Sequence, residues 1–208
     1  MPQTRGRRSG RRFVNAIARL VDGNSVDAEI VPSPQYLDAP GRLAQPLAAP
    51  AATPEQGVFI SYRQRGDFRF MAASVHYAFK QHFGADRVFF DINSMRPGAR
   101  YPDELRNALA RSSVLLAVIH RNWVADLQVR YGGRTPDWVL FEIATALRTG
   151  MVVVPVLLDD AQLPAPEELP DEISDLANRH ACVLQWWSLD DDLDRLVRSV
   201  ELYIPRGS

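Results

Sequence analysis

The chain has 208 residues, 46% of them apolar and 24% charged, enough for one well-buried domain with an appendage and too few for two full-sized domains. No apolar run approaches the roughly 20 residues of a membrane-spanning helix, and a single cysteine, Cys182, excludes an intrachain disulfide and a cysteine-rich metal site. Net charge is −1 but uneven: residues 57–150 hold 13 Lys+Arg against 8 Asp+Glu, residues 151–208 hold 4 against 12, and residues 1–56 hold 7 against 5, so an anionic ligand is sought in the middle segment.

The first twenty residues contain six arginines and no acid. Three readings fit: a flexible basic arm, a targeting peptide, or a docking element. Arg11-Arg12-Phe13 resembles the start of a twin-arginine signal, but Arg19 and Asp22 interrupt the apolar stretch that export would need. A short helix over 13–21 would place Phe13, Ile17, Leu20 and Val21 on one face. From Val31 to Pro54, repeated prolines remove amide donors and fix backbone angles, which reads as an extended linker. The expected organisation is therefore an arm and linker over 1–56 and one folded domain over 57–205.

Within that domain, short β-branched or aromatic runs alternate with helical patterns. Val58–Tyr62 reads as a strand and 67–83 as a helix; Val88–Ile92 is a second strand and Asp103–Arg111 a second helix. Val114–Ile119 is apolar throughout, as expected of a strand covered on both faces. Asp137–Thr149 is a helix ended by Gly150, which can take the left-handed cap conformation. Val152–Leu158, Ala181–Trp186 and a closing helix over Leu193–Tyr203 complete the pattern. Right-handed crossovers between such strands give a parallel sheet with helices on both faces, here an α/β, flavodoxin-like sheet of five strands. Ligands of such sheets bind beyond the carboxyl ends of the strands, so function is sought after Tyr62, Ile92 and Ile119.

Four sequence pieces in that order resemble one family. Phe59-Ile60-Ser61-Tyr62-Arg63 resembles the opening strand motif of Toll/interleukin receptor (TIR) domains, Phe89-Phe90-Asp91-Ile92 their second strand, and Arg96-Pro97-Gly98 the loop that follows it. Asp137–Leu147 is similar to the helix that carries the Trp-x-x-x-Glu motif of TIR domains that cleave NAD. The resemblance covers about 150 residues and has a bacterial look.

The helix pattern also has a reading of its own. Four residues make just over one turn, so Trp138 and Glu142 share a face that Thr145 and Thr149 continue. Glu142 is then either a carboxylate in a partly apolar cleft beside an aromatic platform, or a plain helix acid beside a core tryptophan. The resemblance implies the first, with Glu142 as the catalytic carboxylate. Loss of nicotinamide from NAD+ builds positive character on the ribose, which a nearby carboxylate stabilises in the transition state. Nicotinamide departs as a neutral base, so the second, proton-donating carboxylate of a retaining glycosidase is not required.

The resemblance implies further substrate-binding residues: Trp138, the aromatic platform beside Glu142; Tyr62; Arg63, with Arg65 as helper, toward the diphosphate; Asp91 toward a ribose hydroxyl; and Tyr101 toward the nicotinamide. Solvated loop arginines and a loop-bracing Asp91 are the plain alternatives. Where some relatives have a second basic residue after the first arginine, this chain has Gln64. The four histidines, His76, His82, His120 and His180, lack metal-ligand spacing and read as surface or packing residues. The implied protein takes NAD+ as substrate with no cofactor and no metal. It self-associates through the loop 93–102, with a sensor partner through the arm, no nucleic acid and no membrane span. The lone cysteine fits a cytoplasmic setting. Two other classes compete: a non-catalytic TIR adaptor, which would not need Glu142, and a nucleoside deoxyribosyltransferase on a similar fold.

Overall fold

The computed structural model describes residues 37–39, 42–43, 56–63, 68–90, 101–131 and 137–204. The helix expected over 13–21 lies outside them. Inside the stretch read as linker, Leu37–Ala39 and Arg42–Leu43 pair antiparallel as a two-stranded ribbon, with Pro40-Gly41 between them in sequence.

The domain is a sheet of five parallel strands: β1 (Gly57–Ser61), β2 (Val88–Phe90), β3 (Ser112–Ile119), β4 (Val152–Leu158) and β5 (Cys182–Leu184). Their order across the sheet is β2-β1-β3-β4-β5, the flavodoxin-like arrangement. Residues facing alternately up and down give each central strand two buried sides. Val58 and Ile60 join Val114, Leu116, Val118, Val156 and Leu158 on one face, whereas Phe59, Leu115, Ala117, Ile119 and Leu157 line the other.

Helices α1 (Arg69–Phe83) and α5 (Leu189–Glu201) cover the first face with Met71, Val75, Phe79, Leu193, Leu196 and Val200. His82 of α1 and Glu201 of α5 are 2.6 Å apart. On the second face lie α2 (Tyr101–Ala110), α3 (Trp123–Arg130), α4 (Trp138–Arg148) and a 3-10 segment over Asp171–Asn178. Neither α3 nor the 3-10 segment was expected from sequence. Several boundaries also moved: α2 begins at Tyr101, inside the segment read as loop, α5 spans Leu189–Glu201, β3 begins at Ser112, and β5 is shorter than the strand expected over Ala181–Trp186. Leu189, Leu193, Leu196, Val197 and Val200 form one continuous helical stripe. The acids Asp190, Asp191 and Asp192 in its first turn suit a helix N-terminus.

The end of α4 agrees with the sequence reading. Gly150 has φ +74°, Met151 N–H donates to the carbonyl of Ala146 and Gly150 N–H to that of Leu147, the two bonds of a Schellman cap. No helix among the described residues is long and apolar enough to cross a membrane.

Candidate active site

In this strand order the chain turns back beside β1: β2 lies on one side of it and β3 on the other. Loops from the carboxyl ends of β1 and β3 therefore diverge, and this opening is where doubly wound sheets take their ligands. Ser61 ends β1 and Ile119 ends β3. Helix α4 starts near the same end because it runs antiparallel to the strand it precedes.

Two residues of the β1 end hold α4. Ser61 Oγ donates to Glu142 Oε2 at 2.6 Å, across 81 positions of sequence, with Ser61 1% and Glu142 7% exposed. Arg63 Nη2 donates to Asp137 Oδ2 at 2.7 Å. Those two side chains are only 5% and 3% exposed. Asp137 is also the N-cap of α4, its Oδ1 accepting from Leu140 N–H at 3.1 Å. Ser61 and Arg63 reach the same helix because residues two apart share one side of an extended chain. The Arg63 guanidinium stands 5.2 Å from the ring centre of Trp123, the first residue of α3. Arg63 Nε and Trp123 Nε1 are buried with no hydrogen-bond partner among the described residues, and so is Thr145 Oγ1, one turn beyond Glu142.

His120, directly after β3, is buried at the same end. Its ring stacks on Phe68 at 4.9 Å, its Nδ1 accepts from Asn122 N–H at 3.2 Å, and Asp126 stands 3.5 Å from its Nε2. This is the packing histidine the sequence reading expected, with a carboxylate beside it.

The residues singled out from sequence fall into three groups. Glu142 and Trp138 lie on α4 as expected, the indole half-buried against the core and edge-on to Phe141 at 5.9 Å. Arg63 is brought to the same helix, but with a buried carboxylate as its partner, so a diphosphate would have to share a guanidinium already matched in charge. Tyr62 is turned to the opposite face, where it stacks on Phe90 at 4.7 Å, and Phe90 stacks in turn on His76 at 4.5 Å. It is not brought to Glu142, since adjacent residues of a strand point to opposite sides. Burial, helped by the charge of Lys80, holds the His76 imidazole below its ordinary value. Arg65, Asp91 and the loop residues 93–100 lie outside the described residues, and of Tyr101 only the place at the start of α2 is described.

Sequence reasoning missed Ser61 as the partner of Glu142 and Asp137 as the partner of Arg63. Ser61 stood inside the quoted strand motif, and the Asp three residues before Leu140 is the spacing of an N-cap, so both carried a signal. Among the described residues no group of three or more His, Cys, Asp or Glu could hold a metal ion. Cys182 is half-buried in β5, where burial pushes its thiol above the ordinary value against the opposing effect of Arg195.

This parallel sheet, with its opening at β1 and β3, is that of a TIR domain. A family model for the TIR domain matches residues 58–197, and the chain belongs to that family. Among solved structures it is similar to the TIR domains of the activated Roq1 resistosome directly recognizing the pathogen effector XopQ. That match has 15% identity and a TM-score of 0.54, and covers 70% of this chain and 99% of that one. It is similar also to a metazoan TIR-STING receptor from C. gigas in complex with 2',3'-cGAMP, with 18% identity and a TM-score of 0.47, over 72% of this chain and 42% of that one. The first likeness shows the fold; the second carries no argument. No curated protein matches the chain.

Proposed function

We propose that this TIR domain is an NAD+ glycohydrolase or cyclase, with Glu142 as its catalytic carboxylate. The observation that carries the reading is Glu142 itself: a carboxylate 7% exposed, fixed by a serine hydroxyl at the opening of a parallel sheet. Burying a carboxylate costs stability unless its environment is arranged for it, and such an arrangement at the ligand-binding end of a doubly wound sheet favours a functional role. An adaptor that acts only by surface pairing gains nothing from one.

The reaction breaks the bond between ribose C1′ and the nicotinamide nitrogen. The bonding pair leaves with that nitrogen and neutralises the pyridinium charge, so no proton donor is needed at the leaving group. Positive charge develops on the sugar as the bond lengthens, and the Glu142 carboxylate stabilises it. In hydrolysis a water oxygen then bonds to C1′ and releases a proton; in cyclisation an adenine nitrogen takes the place of water. Trp138 offers an aromatic surface one turn away, and Arg65, Asp91 and Tyr101 remain proposed contacts to the dinucleotide. NAD+ is a substrate here, with no cofactor called for.

Self-association through the loop 93–102, with its arginines Arg96 and Arg100, is proposed to complete the site. A sensor contact through the basic arm, a cytoplasmic location and a role in bacterial antiphage defence or signalling rest on the motif likeness. Free nicotinamide, followed chromatographically after incubation with NAD+, tests the reading, with Glu142→Ala as the control.

A further inference from the structure

We propose that Ser61 is a positioning residue for Glu142, and that the end of β1 acts as a two-point clamp on the site helix. The inference rests on the role proposed above for Glu142. Its observations are separate: a 2.6 Å bond between Ser61 Oγ and Glu142 Oε2, and a 2.7 Å ion pair from Arg63 to the N-cap residue of the same helix.

The two contacts restrict different motions. Along α4, Asp137 and Glu142 are five residues apart, about 7.5 Å of helix rise. Ser61 and Arg63 are two residues apart, about 6.6 to 6.8 Å if the chain is extended. The two observed contacts attach one short segment to the helix at two points. The ion pair fixes the N-terminus of α4 against sliding and rotation. What it leaves undetermined is the glutamate side chain, which has three rotatable bonds and would lose entropy on being held. The Ser61 hydroxyl restricts that freedom by holding one carboxylate oxygen before any substrate arrives.

The hydroxyl acts electrostatically as well. A donor to a carboxylate favours the ionised form, the form that stabilises a sugar cation. In a buried setting this bond is stronger than it would be in water. Ser61 therefore orients Glu142 and favours its ionised form, without touching the reacting atoms.

The test compares wild type, Ser61→Ala and Ser61→Thr, leaving Arg63 and Asp137 unchanged. Two quantities are followed: the titration of the Glu142 carboxyl carbon in selectively labelled protein, assigned with Glu142→Gln, and nicotinamide release resolved into kcat and KM. With the fold intact by circular dichroism, Ser61→Ala is expected to raise the carboxyl midpoint above that of wild type. The same variant lowers kcat by about 10- to 100-fold while KM changes by less than about threefold. Ser61→Thr, which keeps the hydroxyl, returns the carboxyl midpoint toward wild type. A midpoint in folded Ser61→Ala equal to that of wild type would overturn the proposal, as would an unchanged kcat in an active protein. If even the wild type releases no nicotinamide, the enzymatic reading fails, and the carboxyl titration still decides whether Ser61 holds Glu142.

Discussion

Arg63 and Asp137, 74 positions apart in the chain, form an ion pair whose side chains are both almost closed to solvent, while the second oxygen of Asp137 caps helix α4. One carboxylate thus joins the end of the first strand to the start of the site helix. A buried pair is seldom a large net source of stability, but losing one partner leaves the other charge stranded. Its consequence here is positional: the segment that leaves β1 is tied to the start of the helix that carries Glu142.

Arg63→Ala is therefore expected to destabilise the fold by about 3 to 5 kcal/mol, read from the midpoint of urea unfolding. Asp137→Ala loses the helix cap as well and is expected to cost about 1 kcal/mol more. A guanidinium serving only a diphosphate would give another result, a raised KM for NAD+ with unchanged unfolding.

Gly57 opens β1 where backbones converge. A Cβ there would lie 2.8 Å from the Arg111 carbonyl oxygen, 2.9 Å from Phe89 Cε2 and 3.1 Å from the Arg87 carbonyl oxygen. Two of these atoms are backbone, and they accept hydrogen bonds from Gly57 and Val58. Gly57→Ala is expected to cost about 1 to 3 kcal/mol through displacement of the strand, measurable by thermal or urea unfolding.

His76 should make stability depend on pH. Its ordinary value is 6.5, and burial in the stack with Phe90 lowers it in the folded protein, with Lys80 adding to the effect. As pH falls below 6.5, the unfolded chain binds a proton that the folded chain resists. The contribution is thus complete above that pH and is lost as pH falls toward the folded midpoint. His76→Phe keeps a ring against Phe90 and should lose less thermal stability than wild type between about pH 7.5 and pH 5.

The strands β1, β3 and β4 were legible because a parallel strand buried on both sides is an unbroken apolar run, and α4 because Asp137 and Gly150 mark its ends. Helix α3 was not. It has eight residues directly after a strand, and its core contacts come mainly from Trp123 and Leu127, too few to establish a period. The 3-10 segment escaped for the same reason, with only Ile173 and Leu176 turned inward. In the candidate site, the placing of Glu142 and Trp138 on one helix could be read because their relationship is local, one turn of one helix. The pairings of Ser61 with Glu142 and of Asp137 with Arg63 could not, because they exist only once β1 is placed beside α4, although each residue carried a local signal of its own. Tyr62 was drawn into the site by its neighbours in the motif, whereas alternation along the strand sends it to the other face.

Helix α5 offers a control away from the site. Asp192, buried in its first turn, accepts from Gln185 N–H at 2.7 Å and Ser188 Oγ at 2.9 Å, and pairs with Arg195. Asp192→Ala is expected to cost about 2 to 3 kcal/mol in unfolding experiments and to leave turnover per folded molecule unchanged.

The central claim is that Glu142 serves chemistry on NAD+, and the most direct measurement is nicotinamide release by the full chain over a range of protein concentrations, beside Glu142→Ala. The account predicts release that rises more steeply than protein concentration as copies assemble, and that falls to background in the variant. No release from assembled wild-type protein, or equal release from Glu142→Ala, would contradict it and leave a TIR module that acts by contact alone.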